Sequence, residues 1–168
     1  MKSLFRVRTA FLFAICSLAS FPLSGAEQKS IEFQGRVSDV DLAAGTISVR
    51  TKTKEFVFQV DGERCKIIKD GVDLPRPGSQ SPALASAKED DYVVGVLALE
   101  GPSPVVTRLY LTTQPEVGVR VESKHGHIAS PYRSADDTGA EVKTIDVRGY
   151  QRGSMLVDKE TGKIFLVP

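Results

Sequence analysis

The chain has 168 residues, 41% of them hydrophobic, with 22 basic and 21 acidic side chains and a formal charge of +1 at neutral pH. That length allows one ordinary domain plus an appendage. The bases are scattered among acids, without the surplus or stripe that polyanion binding needs, so no nucleic-acid partner is expected.

The first 26 residues carry the pattern of a secretory signal peptide. Lys2, Arg6 and Arg8 form a basic start, residues 9–23 are almost wholly apolar, and Ser24-Gly25-Ala26 supplies small residues before Glu27. Cleavage between Ala26 and Glu27 would remove three bases. The remaining 142 residues then hold 19 bases against 21 acids, a net charge of −2. The apolar run is shorter than the ~20 residues a membrane span needs and has Pro22 near its end, so an uncleaved anchor is the weaker reading. No stable membrane span is expected after cleavage. A lipoprotein would need a small residue before its cysteine, and Cys16 follows Ile15. The expected location is periplasmic or secreted. Cys16 leaves with the leader, so Cys65 has no intrachain disulfide partner and a hydrophobic core must supply stability. Asn and Trp are both absent, which removes N-glycosylation acceptors and a Trp-based carbohydrate platform.

Residues 27–113 read as a small β-barrel domain. Ile31, Phe33 and Val37 alternate with polar residues at the period of a half-buried strand, and a turn ending at Gly45 follows. Ile47 and Val49 mark a second strand. A third, residues 55–60, has Phe56, Phe58 and Val60 on one face. After the Asp61-Gly62 turn comes a short strand over residues 64–69, with Cys65 and Ile67 on a shared face. Pro75, Pro77, Gly78 and Pro82 then make a loop, and residues 83–88 form one or two helical turns. Residues 92–99 are nearly continuous apolar, as in a strand buried on both sides. A hairpin connection leads to the next strand, residues 105–111.

This pattern makes the chain mainly β. The expected fold is a small OB-like barrel, with an SH3-like barrel as the alternative, of five or six strands with a short helical insertion. Residues 114–141 read as a polar linker with one short strand. Residues 142–168 read as a C-terminal β segment: a strand over 142–147, then a hairpin joining 155–157 to 164–167 through the turn 158–163.

The first half resembles a group of small bacterial envelope domains of unknown function with a barrel fold. The resemblance rests on Gly35-Arg36-Val37, on Val40-Asp41 through Gly45-Thr46-Ile47-Ser48-Val49, and loosely on Glu89-Asp90-Asp91-Tyr92-Val93, where the usual Gly is missing. It implies fold more than function. Periplasmic copper-carrying OB domains share the rhythm, but they bind Cu(I) through Met thioethers and a His beside a Trp. Here Met155 is the only Met beyond the leader and Trp is absent, so that activity does not transfer. The tail, from Ser130-Pro131-Tyr132 to Val167-Pro168, is similar to a C-terminal segment of small secreted bacterial proteins, with no activity attached.

Little chemistry is written in the residues. His125-Gly126-His127 would place two imidazoles on one side of an extended segment, with Glu122, Asp136 or Asp137 as further metal ligands; the plain reading is an exposed loop. Cys65 reads as a core residue rather than a reactive thiol. No hydrolase elbow, metalloprotease helix or phosphate loop is present. Ser130 near His125 and Asp136 is weak grounds for a triad. Asp146 and Arg148 read as a solvated strand face with a cross-strand ion pair.

The chain is expected to be a secreted or periplasmic, non-enzymatic binding module without cofactor, contacting a protein or envelope component. Contact would come by strand addition, or by docking of Ile164, Phe165, Leu166 and Val167 on the partner. The plain alternative packs that strand on its own barrel. A metal-handling protein using His125 and His127 is the competing reading, and a small hydrolase the third.

Overall fold

The computed structural model describes residues 30–75, 83–99, 103–133 and 143–168. The expected leader, its Ala26–Glu27 junction, Asp136 and Asp137 lie outside the described residues. Five strands form the barrel: β1 (Ser30–Asp41), β2 (Thr46–Arg50), β3 (Glu55–Val60), β6 (Tyr92–Ala98) and β7 (Val105–Thr112). Between β3 and β6 run β4 (Lys66–Lys69), β5 (Val72–Asp73) and a single 3-10 turn, Leu84–Ser86. The helical insertion is therefore one short turn, with Ala83, Leu84 and Ala87 buried against the barrel core.

Antiparallel pairing links β3 to β2, β2 to β1, β1 to β6 and β6 to β7; a two-residue parallel pairing of β3 with β7 closes the ring. This Greek-key circuit is the arrangement of an OB-like barrel. Closure satisfies backbone groups that an open sheet would leave bare at its edges. One edge of β7 is shared. Its residues Val105 and Val106 pair with Gln59 and Val60, and four positions from Arg108 to Leu111 pair in parallel with β4. The Asp61 turn transfers that edge from β3 to β4: the Asp61 carboxylate accepts from the Glu63 and Arg64 amides, and its carbonyl from the Cys65 amide.

Val37, Ile47, Val49, Val93, Val106 and Leu109 fill the barrel, each with no exposure, and Cys65 lies among them. The close quarters demand small residues at chosen points. A Cβ on Gly95 would sit 2.1 Å from the ring of Phe33, which lies across this position on the neighbouring strand.

The last third is more ordered than the expected linker and hairpin. Short strands β8 (Glu116–Val117), β9 (Val119–Arg120) and β10 (His127–Ala129) occupy the described part of residues 114–141, three where one was expected. They pair with β11 (Thr144–Asp146), β12 (Met155–Val157) and β13 (Ile164–Leu166) in two three-stranded sheets, β11-β10-β9 and β12-β13-β8. The expected hairpin is the β12–β13 pair. Gln34 of β1 accepts from the Met155 amide at 2.7 Å, which docks β12 on the outside of the barrel. Val94, on the opposite face of β6 from Val93, is thereby buried as well, and β6 is covered on both sides as its apolar run requires.

Replacing Gly95 with Ala drives a methyl group into the Phe33 ring and is expected to cost about 1–3 kcal/mol of stability, as overpacked cores do. Urea unfolding would measure it. Phe33→Leu in the same chain should recover part of the loss, showing that the two positions are coupled.

Candidate functional site

The barrel mouth is set by the edge transfer. Among the described residues no strand pairs with the outer edge of residues 55–58, because β7 begins only opposite Gln59. Pro104, just before β7, has no N–H to extend that ladder. Beside this edge lies an aromatic cluster. Phe33 and Phe58 stack with centroids 4.1 Å apart and planes 20° apart, and Phe56 continues the row with its centroid 6.1 Å from that of Phe58. All three are half-buried. Val57 points the other way and is 63% exposed. Exposed Lys52 and Lys54 lie in the turn entering β3, a turn tied by the Thr51 hydroxyl, which donates to the Lys54 carbonyl. Ser38 of β1 hydrogen-bonds the Glu55 carboxylate at the start of the edge.

A second polar cluster fixes the C-terminal sheets. Asp158 has no exposure, and its carboxylate accepts from Arg133 Nε at 2.9 Å, Arg133 Nη2 at 2.6 Å and the Glu160 amide at 2.9 Å. Burial by itself pushes this carboxyl up. The Arg133 and Ser130 donors, the Glu160 amide and the Arg133 charge outweigh it and hold the group well below the usual carboxylate range. Tyr132 completes the clamp: its hydroxyl donates to the Ile164 carbonyl at 2.8 Å and accepts from the Glu116 amide at 3.1 Å, joining β13 to β8.

The residues singled out in the sequence fall in three places. His127 opens β10 opposite Asp146, but His125 lies in a turn, with Gly126 at φ +78° and the His127 amide bonded to the Lys124 carbonyl. The extended conformation that would align the imidazoles is thus not adopted. Among the described residues no group of three or more His, Cys, Asp or Glu side chains is placed to hold a metal ion. Asp146 is engaged by Arg148, whose guanidinium bonding holds the carboxyl well below its usual range. That ion pair runs along one strand end instead of across two strands. Ser130 is 2% exposed and hydrogen-bonds Asp158. Ile164 and Phe165 have no exposure and Val167 has 6%, with Leu166 half-buried, so these side chains pack largely within their own chain.

The aromatic mouth was only half legible. Phe56 and Phe58 were visible as one strand face, but nothing local showed that their edge stays unpaired. Comparison with family models, curated proteins and solved structures finds no match to this chain.

Asp158→Ala leaves the largely buried Arg133 charge with only its longer contact to Glu160 and should lower unfolding stability by about 3 kcal/mol. Because the folded carboxyl titrates below its unfolded value, the stability it contributes is complete above that unfolded value. It is lost as pH falls below about 4. Chemical denaturation from pH 7 to pH 3 should therefore show a steeper acid loss in wild type than in Asp158→Asn.

Proposed function

We propose that this protein is a secreted or periplasmic, non-enzymatic binding module that captures an extended segment of a protein or envelope partner by strand addition along β3. The observation that carries the reading is the outer edge of residues 55–58, which no strand among the described residues pairs, beside the Phe33, Phe58 and Phe56 row. A strand edge offers main-chain donors and acceptors, and alternate side chains of an added strand would meet the exposed Val57 on one side and the phenyl rings on the other. OB-like barrels commonly use the face around these strands for binding. Lys52 and Lys54 at the entry favour a segment with acidic residues at its end, and their charge opposes pairing with a second copy of the same edge. The leader-like residues 1–26 support a site of action outside the cytoplasm.

The test is retention of envelope proteins by wild-type chain and by Val57→Lys, a change at an exposed position with little effect on folding. Val57→Lys should lose at least tenfold of the retained partner, while a charge placed at exposed Val72 on β5, which pairs with β4 and not with β3, should not. Equal retention by both variants and wild type would sink the reading.

A further inference from the structure

A groove of about 290 Å³ lies between the outer face of β4 and β7 and the turn joining β12 to β13. Its floor has an arrangement that stability alone disfavours. Lys66 and Arg108 are directly opposite in the β4–β7 register, and like charges so placed repel. Asp73 relieves Lys66, at 2.9 Å. Arg108 has no acidic partner among the described residues, nor has Lys159 on the facing turn. The acids nearby are already engaged, since Glu160 bridges Lys143 at 2.7 Å and Arg133 at 3.3 Å. The groove therefore carries surplus positive charge.

Its far wall is rigid. Buried Asp158 accepts from the Glu160 amide and is gripped by Arg133, which fixes the turn. The turn also presses close to the β4–β5 hairpin: a Cβ on Gly71 would lie 2.6 Å from the Thr161 carbonyl oxygen. Tyr110, Thr161 and Ile68 also line the groove, with Ile68 against Gly162 of the turn. The volume is at the low end for small-molecule sites.

We propose that this groove binds a small hydroxylated anion, a sugar-sized molecule bearing a carboxylate or phosphate. The Arg108 fork and Lys159 would take the anionic group. Tyr110, Thr161 and the carboxylates of Asp73 and Glu160 would take its hydroxyls. The site is independent of strand addition at β3.

Glucuronate, glucose 6-phosphate, glucose and inorganic phosphate titrated into the full chain, followed by amide NMR and calorimetry, test this. At least one anionic sugar should saturate, shifting amides of residues 66–73 and 159–162, and bind at least tenfold tighter than glucose and inorganic phosphate; which one saturates distinguishes carboxylate from phosphate. Arg108→Ser with Lys159→Ser should weaken it at least tenfold while Val57→Lys leaves it unchanged. Arg108→Ser should also raise the Tm by removing the opposed charges, and Lys159→Ser alone, on an exposed turn, repeats the test without touching a strand. Failure of both anionic sugars to saturate, equal binding of glucose or bare phosphate, or unchanged affinity in the variants would overturn the proposal.

Discussion

Everything in this molecule hangs on how one edge of β7 is satisfied. The ring of strands is only partly closed, and β7 satisfies that edge by using two successive partners, β3 over two residues and then β4 over four. The exchange happens at the Asp61 turn, where one side chain and one carbonyl collect three amides. Because β3 reaches β7 only at its last two residues, no strand among the described residues pairs with the outer edge of its first four. The same exchange brings β4 onto the barrel wall, where Lys66 meets Arg108. The mouth and the groove are thus two consequences of a single handover.

Two ionic clusters with buried carboxylates order the segments outside the five barrel strands. Lys69 donates to Asp91 and to the Ser86 carbonyl, each at 2.7 Å, tying β4 to the 3-10 turn and to the start of β6. Asp91 is 1% exposed and is bonded further by the Lys88 amide and the Thr113 hydroxyl. Arg133 and Asp158 do the equivalent work for the C-terminal sheets. Pairs of this kind add little net stability over apolar packing, because desolvation offsets most of their attraction. What they supply is direction: each carboxylate accepts only from donors in fixed places, and so positions two loops that apolar contacts alone would leave free to slide.

Alternation of apolar and polar residues made β1, β2, β3 and the core side of β4 legible, since a strand half-buried in a small barrel must repeat with period two. The unbroken apolar run of β6 correctly implied cover on both faces, and the 158–163 turn announced its hairpin. The expected linker held one short strand, and the described residues there hold three, β8, β9 and β10. These strands have two or three residues each, too short for a sustained period; β9 and β10 pair with each other, and Tyr132 joins β8 to distant β13. His125-Gly126-His127 misled in a similar way: the aligned imidazoles assumed an extended backbone, and Gly126 turns it. Ser130, weak grounds for a triad in the sequence, is a buried donor to Asp158.

The sequence by itself determined a mainly β chain, the positions of its longer strands, the burial of Cys65 and the chemical poverty of its motifs, because these follow from local spacing and residue type. Only the tertiary structure decided the OB-like circuit, the edge of β3 that no described strand pairs, the opposition of Lys66 to Arg108 and the burial of Ile164, Phe165 and Val167. Each of these depends on which strand lies beside which. Strand partnership is a contest among distant segments for the same donors and acceptors, and no local pattern records its outcome.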